Sequence, residues 1–528
     1  MTTSLECTAR VPEDALDAIL RPRASLVQEV TVASERGAYE YAATDGPVRS
    51  YRRVVRAVPS GDATVRVEQH VEYDLAAPLV RWLLALPARR HLGALRAEDT
   101  PPWWGPPDVL SRSAWAALGG LLAVAMVVGY LGTLLTETIT YSAREFHVGT
   151  GAEGVALAAV RFDIVLSLGL VALADRRGRR VIALGGAAVG CLLTALGAFA
   201  PSLAWLAASQ VVARAFVTAA TIAAGVLAVE IMPKGARAWA LGVGAMAGAL
   251  GAGVAVVLLP VAGIDARAWR LLYLLALAWL GVVAVAARHL PESERFLVHH
   301  RAHDRAPIRR SRLALLASAS FLLQLFVTPA SEFQNEYLRR ERHFSPGRIA
   351  LFTIVTAVPG AIGILAGGRL ADTHGRRKVA VVAVGGAAVS AVVAYSVHGW
   401  AMWLAMASAG LTGAAVTPVL TVYGPELFAT SGRGVANGLL TAAGRGGAVA
   451  GLLFIGWAAS SRLGFGAGFA LLALGPVALV VLILTAFPET ARRSLEELNP
   501  EDRTTASGTS NAAGGRSGFI MVKGDGDA

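Results

Sequence analysis

Apolar windows of about 20 residues recur from Ser113 to Phe487, with only short polar connections between them. Each is long enough to cross a hydrocarbon core of about 30 Å at 1.5 Å per residue. Lipid offers the backbone no hydrogen-bond partners, so such windows must close their bonds internally as helices. The chain is 55% hydrophobic and 16% charged, whereas soluble domains carry about 25% charged residues. A water-soluble class is excluded.

The spans read as 113–138, 153–174, 181–200, 203–229, 239–262 and 270–289, then 313–331, 347–368, 379–398, 400–424, 435–458 and 466–487. The net charge of +11 does not point to nucleic acid, because the arginines sit in short loops between apolar runs and form no continuous surface. Arg176, Arg177, Arg179 and Arg180 follow span 2, Lys234 and Arg237 follow span 4, Arg376, Arg377 and Lys378 follow span 8, and Arg433 follows span 10. The positive-inside bias places those ends, and with an even span count both termini, in the cytoplasm of a cell inner (plasma) membrane protein. Arg339, Arg340 and Arg342 follow span 7 on the opposite side, an excess that this bias does not explain. Met1 to Leu20 has no apolar h-region, so the first span is expected to serve as the insertion signal. Cys7 and Cys191 offer no disulfide framework and read as inert thiols.

Residues 1–100 differ in kind. Val65, Val67, Val71 and Tyr73 alternate with Arg66, Glu68, His70 and Glu72, the pattern of a half-buried strand. The turn Pro59-Ser60-Gly61-Asp62 joins it to an extended run over 48–58, and 79–95 reads as an amphipathic helix. The expected organisation is a small cytoplasmic α+β domain (1–100), a Pro/Trp linker (101–112), a six-helix half (113–297), a central cytoplasmic loop (298–312), a second six-helix half (313–498) and a disordered tail (499–528). The linker tryptophans Trp103 and Trp104 suit a membrane interface, or the segment is an ordinary proline-rich connection.

The most specific signal is an internal repeat. Ala174-Asp175-Arg176-Arg177-Gly178-Arg179-Arg180 returns as Ala371-Asp372-Thr373-His374-Gly375-Arg376-Arg377, 197 residues on. Glu230 and Arg237 return as Glu426 and Arg433 after 196 residues, and Pro291-Glu292-Ser293 returns as Pro488-Glu489-Thr490 after 197. Three landmarks share one period, so the chain contains two homologous halves. The fold class is an all-α membrane protein of twelve transmembrane helices in two six-helix pseudo-symmetric halves, plus the small α+β domain. Such halves sandwich a solute site near the bilayer midplane and rock about it.

The run Gly368-Arg369-Leu370-Ala371-Asp372-Thr373-His374-Gly375-Arg376-Arg377-Lys378 resembles the signature between spans 2 and 3 of the major facilitator superfamily, here repeated between spans 8 and 9. The copy beginning at Val171 lacks only the first glycine. Pro291-Glu292-Ser293-Glu294-Arg295 and Pro488-Glu489-Thr490-Ala491-Arg492-Arg493 resemble the motifs that close each half of sugar porters and their organic-ion, metabolite:proton symporter relatives. The resemblance covers about residues 113–498. It implies secondary active transport by alternating access and no enzyme activity. It also implies a cytoplasmic latch made of Asp175, Arg176, Gly178, Arg179, Arg180, Glu230, Arg237, Glu292, Arg295, Gly368, Asp372, Gly375, Arg376, Arg377, Glu426, Arg433, Glu489 and Arg493. The plainer alternative is that these groups only anchor topology at the membrane surface.

Charges inside the spans each cost about 2.5–3.5 kcal/mol on insertion scales and need an interior or aqueous setting. Arg161 and Asp163 in span 2, Arg214 in span 4 and Glu137 near the outer end of span 1 are the proton-coupling candidates, with Arg214 the candidate partner of Asp163. A permanently paired structural cluster is the alternative. Gln210 on span 4 and Gln324, Gln334, Asn335 and Tyr337 on span 7 are candidates for hydrogen-bonding a hydroxylated solute, or pack helices together. Gly129-Tyr130 is followed by Leu131 where sugar porters typically carry an aspartate, and no Gly-Pro pair marks span 5 as in drug and proton antiporters. The glycines of span 5 read as close-packing sites. The expected partners are a small organic solute (sugar, polyol or organic acid), protons and membrane lipid, with no nucleic acid, no cofactor, no metal and a monomeric state. The alternatives are a drug or metabolite exporter of the same superfamily and a transporter-like receptor regulated by the N-terminal domain.

Overall fold

The computed structural model describes residues 3–500 except 36, 61–63, 76–80, 97–98, 149–155, 157–158, 161, 263, 302–307, 335–336, 339–340, 345, 430–431 and 462. Its N-terminal part is a five-stranded antiparallel sheet of order β1-β5-β4-β3-β2, formed by β1 (Thr3–Pro12), β2 (Gln28–Glu35), β3 (Ala38–Asp45), β4 (Val48–Pro59) and β5 (Thr64–Leu75). Helices α1 (Glu13–Ile19) and α2 (Arg81–Gly93) complete it. The alternation read in β5 is present, with Val65, Val67, Val71 and Tyr73 buried and Arg66 and Glu68 exposed. The sequence pattern showed two strands, and the structure adds β1, β2 and β3.

The interior of this domain is not wholly apolar. Arg53 is 1% exposed and its Nη2 donates to Glu29 Oε2 at 2.8 Å, while its guanidinium stacks on Tyr41, 4.3 Å from the ring centre. Tyr51 Oη donates to the other carboxylate oxygen of Glu29 at 2.5 Å. An unpaired charge here would carry the full desolvation cost, so the pair must form whenever the sheet does.

Eleven of the described helices are long and apolar enough to cross a membrane. They are span 1 (Arg112–Ile139 of the longer helix Arg112–Glu145), span 3 (Arg179–Phe199), span 4 (Leu203–Ile231), span 5 (Arg237–Val257) and span 6 (Trp269–His289) in the first half. The second half has span 7 (Arg310–Glu332), span 8 (Leu351–His374 of the helix Pro346–His374), span 9 (Arg376–Ser396), span 10 (Gly399–Leu427), span 11 (Arg433–Ala459) and span 12 (Gly464–Ala486). Span 2 is described as helix over Asp163–Arg177. Leu453, Val382 and Trp400 are among the large apolar side chains exposed on the bundle, where lipid replaces water. The segment read as the central loop begins as helix, since Glu294–Arg301 is helical. The expected disordered tail lies outside the described residues apart from Asn499 and Pro500.

Each half repeats the same packing. Span 1 lies on span 5 and span 7 on span 11. An added Cβ at Gly251 would strike the Met126 carbonyl, and one at Gly447, 196 residues later, would strike that of Phe321. Gly251 thus packs closely as expected, as does Gly242 against the Ile364 carbonyl, whereas an added Cβ at Gly244 or Gly253 would meet no described atom within 4 Å. The halves meet along two seams, span 2 against span 11 and span 5 against span 8.

The sheet domain is docked on one end of the bundle. Tyr51, Val71, Tyr73 and Leu92 share one buried cluster with Trp115, Leu118, Met232 and Trp239 of the membrane helices. Arg112 Nη2 donates to the Ala43 carbonyl at 2.5 Å. The linker crosses the span 5–span 8 seam. Arg369 of span 8 donates to the carbonyls of Pro101 (3.1 Å), Pro102 and Gly105 (2.8 Å), and Trp239 Nε1 of span 5 donates to that of Trp104 at 3.1 Å.

Removing one partner of the buried pair isolates its cost. Glu29→Ala is expected to destabilise the sheet domain by about 3–5 kcal/mol, read as proteolytic release of the domain from the full-length protein at lower denaturant. Burial, with Arg96 and Arg23 close by and Asp99 opposing them, lowers the pKa of His91 to about 4, against about 6.5 in an unfolded chain. The unfolded chain therefore binds more protons between these values. Stability is full above about pH 6.5 and falls as the pH drops toward about 4. His91→Leu should flatten that part of a melting-versus-pH curve, and an unchanged slope would remove His91 as its source.

Candidate functional site

At the sheet end, each repeated motif reaches into the other half. Asp175 at the end of span 2 accepts from the backbone N–H of Gly434 (3.1 Å) and Val435 (3.0 Å), the first turn of span 11. Asp372 at the end of span 8 accepts from Trp239 N at 3.0 Å, in the first turn of span 5. A carboxylate at a helix N-terminus meets unsatisfied donors and the positive end of the macrodipole. Deeper in, Glu230 binds Arg433 Nη1 from the other half and lies 3.8 Å from Arg179 Nε. Glu426 mirrors it, binding Arg376 Nη1 and, at 3.2 Å, Arg237 Nη1 from the other half. Both glutamates and all four arginines are buried.

The remaining motif residues set this geometry. Gly178 and Gly375 have φ of +114° and +99°, a region closed to most side chains. An added Cβ at Gly375 would lie 2.9 Å from Glu489 Oε2, and one at Gly178 would collide with Glu292. Those two glutamates cap the helices that follow, accepting from Arg179 N (3.1 Å) and Arg180 N, and from Arg376 N (2.9 Å) and Arg377 N (3.2 Å). Gly368 lets span 8 approach span 5, since a Cβ there would lie 2.8 Å from the Ala238 carbonyl. The first copy has Val171 at the equivalent place. There the gap is on the facing helix, where a Cβ at Gly438 would lie 2.7 Å from Leu168 Cδ2. Arg295 Nε donates to Glu496 Oε1 at 3.0 Å, tying the ends of the two halves. Arg180 Nη2 donates to the Ala287 carbonyl at 2.8 Å, inside its own half. Arg493 contributes its carbonyl to Arg237 (3.3 Å), and Arg176 is exposed.

Farther from the sheet end, one ion pair joins the halves inside the bundle. Asp163, 1% exposed, binds Arg445 of span 11 through Arg445 Nη1 and through Nη2 at 3.2 Å, and accepts from Thr218 Oγ1 at 2.7 Å. Asp163 stands twelve residues before Asp175, and Arg445 twelve after Arg433. Each is thus about 18 Å along its helix from the sheet-end motif. Arg445 lines a central cavity of about 890 Å³, with Thr221, Ser320, Gln324, Thr328 and Asn437 among the polar wall.

The structure redistributes the other candidates. Arg214 is not the partner of Asp163, because it reaches span 1 and its Nη1 donates to the Gly132 carbonyl. Gln210 is 1% exposed and packs beside Gly197, away from the cavity. Tyr337 is fully buried, donates to the carbonyl of Tyr395 (3.1 Å) and accepts from Arg342 Nε at 2.7 Å, so it organises the end of span 7 and lines no solute site. Arg342 also donates to the Val397 carbonyl at 3.0 Å, which gives one of the excess arginines on that side a structural task. Gln334 lines a separate space of about 240 Å³ within the second half and donates to Thr353 Oγ1 at 3.3 Å. Among the described solute candidates, Gln324 alone lines the central cavity. Glu137 is half-buried on span 1 and lines neither space. Arg161 and Asn335 lie outside the described residues. Sequence reading missed Arg445, although an arginine among apolar residues and glycines in mid-span was a visible signal.

A duplicated bundle of membrane-length helices around a polar-lined cavity, closed at one end by paired charges, is the architecture of a two-half transport protein. A family model for the Major Facilitator Superfamily matches residues 114–331 and again 316–520, and the chain belongs to that superfamily. Curated proteins give no match. Among solved structures, the proton:xylose symporter XylE bound to 6-bromo-6-deoxy-D-glucose is 15% identical, with a TM-score of 0.64 over 74% of this chain and 99% of that one. The human organic anion transporter MFSD10 is 14% identical, with a TM-score of 0.58 over 70% and 99%. The E. coli fucose:proton symporter FucP is also 14% identical, with a TM-score of 0.57 over 71% and 100%. These likenesses establish the fold.

The seam contacts predict an accessibility change. In a Cys7→Ser, Cys191→Ser background, Ala238→Cys is buried against span 8, and adding Glu230→Gln with Glu426→Gln should raise its maleimide reactivity at least severalfold. Equal reactivity with and without the glutamate changes would contradict the role of these pairs in holding the seam.

Proposed function

We propose that the protein is a secondary active transporter that moves a small polar organic solute, a sugar, polyol or organic acid, across the cytoplasmic membrane by alternating access, with a proton as the coupling ion. The observation that carries this reading is the Asp163–Arg445 pair, which joins the two halves beside the central cavity. The sheet end is taken as cytoplasmic on the placement of arginines. The state seen here is then closed toward the cytoplasm, its inner side held shut by Asp175, Glu230, Asp372, Glu426 and their partners.

A proton arriving at Asp163 removes the negative charge that fixes Arg445, and the Coulomb attraction across the span 2–span 11 seam goes with it. The freed guanidinium can turn to the solute, whose hydroxyl or carboxylate oxygens accept its hydrogen bonds. Asp163 and the solute thus compete for one arginine, and the proton decides for the solute, which couples loading to release of the seam. Inward opening then requires the cytoplasmic pairs to part, and the differential contacts of solute and proton in the two states supply the bias.

In proteoliposomes, Asp163→Asn is expected to abolish accumulation driven by a pH gradient while sparing solute exchange, and Arg445→Gln to weaken both. Undiminished pH-driven accumulation by Asp163→Asn would sink the coupling role. Absence of flux by the intact protein toward every sugar, polyol and organic acid tried, with ligand binding retained, would favour a receptor.

A further inference from the structure

A second cavity, of about 430 Å³, lies in the sheet domain, outside the membrane bundle. Its wall comes from the segment after α1 (Arg21, Arg23, Ala24), from His91 near the end of α2, and from Arg96 and Asp99 just before the linker. Arg23 is held in place by the carbonyls of Leu92 and Ala94, each at 2.8 Å, and by Gln69 Oε1 at 3.0 Å. Arg21 and Arg96 are exposed. His91 is 6% exposed, its ring meets Trp104 edge-on at 6.4 Å, and its imidazole makes no hydrogen bond to a described residue.

One wall of this cavity already holds an acid group. Asp99 accepts from the backbone N–H of Ala24 through Oδ2 and from Ser25 Oγ through Oδ1, each at 2.5 Å. A backbone N–H and a hydroxyl on the two oxygens of one carboxylate form an anion cradle, and among the described lining residues three arginines face one aspartate, an excess of positive charge. The volume lies in the range that holds small organic ligands.

We propose that this cavity binds a small organic or inorganic anion bearing a carboxylate or phosphate group, which takes the Ala24 N–H and Ser25 hydroxyl from Asp99 and pairs with Arg21 and Arg96. Neutral His91 supplies a further hydrogen bond, since burial and the neighbouring arginines keep it uncharged at neutral pH. The site is coupled to the bundle by the chain itself. Asp99 stands two residues before Pro101, where the linker begins its hold on Arg369 of span 8 and, through Trp104, on Trp239 of span 5. Displacing Asp99 frees the root of a strap that crosses the seam between the halves. The inference does not depend on which solute is carried.

The test is isothermal titration of the full-length protein in detergent with succinate and, separately, inorganic phosphate, at constant ionic strength. At least one probe should bind saturably. Arg21→Ala with Arg96→Ala should weaken that binding about tenfold or more, and Asp99→Ala should tighten it severalfold by vacating the cradle. Both changes are at exposed residues, and unaltered melting shows that the fold is kept. The probe that binds tells carboxylate from phosphate recognition. The proposal is overturned by absence of saturable binding to both probes, by equal affinity in the double variant, or by unchanged affinity in Asp99→Ala. Binding lost in Arg445→Ala but kept in the double variant would place the anion in the central cavity and overturn it as well, without touching the transport reading.

Discussion

Two buried carboxylates, Glu230 and Glu426, hold this molecule in the state observed. Each draws one arginine from its own half and one from the other, so the charges are satisfied only while the halves are together at the sheet end. Buried ion pairs add little net stability, because desolvation offsets much of the attraction. What they supply is geometric discrimination, since a partly separated seam would leave buried charges unpaired. The Glu426 cluster is also not fully saturated, as Arg237 Nε and Arg376 Nε find no acceptor among the described residues.

The duplication explains why the clusters come as a pair. One copy of the motif ends in a carboxylate that caps the first turn of span 11, and the other ends in a carboxylate that caps the first turn of span 5. Each copy thus latches onto the half that did not encode it. Glu292 and Glu489 support the arrangement from behind by capping spans 3 and 9, which fixes the backbone that carries Arg179 and Arg376. The motif copies differ at Gly368 of span 8, which meets the Ala238 carbonyl and is replaced by Val171 in span 2, while Gly438 of span 11 and its repeat Gly242 of span 5 keep the facing helix close on both seams. The span 2–span 11 approach therefore rests on the glycine of one helix alone.

The central pair and the sheet domain have no counterpart in the repeat, where Gly360 and Ala249 stand at the positions equivalent to Asp163 and Arg445. Asp163 and Arg445 join spans 2 and 11, so a charge change inside the bundle acts on the same seam as Asp175 farther along it. The other seam, between spans 5 and 8, carries the linker strap and through it the sheet domain. One seam is therefore exposed to the contents of the cavity, and the other to the domain outside the membrane.

Spans, duplication and motif positions were all legible in the amino-acid order, because helix length, apolar runs and a fixed period are local or one-dimensional properties. So was the β5 strand, whose alternation shows its buried face. The strands β1 to β3 were not read, and in β2 the polar Glu29 in a core position breaks the pattern unless its partner Arg53 is known. The solute and proton candidates fared worst: Gln324 lines the cavity, while Gln210 and Tyr337 pack in the interior and the proton-coupling candidate Arg214 reaches span 1. Helical periodicity names a face but not the neighbour that face meets. The sequence by itself determined a duplicated bundle of membrane helices with charged motifs at one end; only the tertiary structure decided that Asp163 meets Arg445 and that the linker crosses a seam. Those contacts lie between rigid bodies far apart in the chain, and no local spacing encodes the docking of one on another.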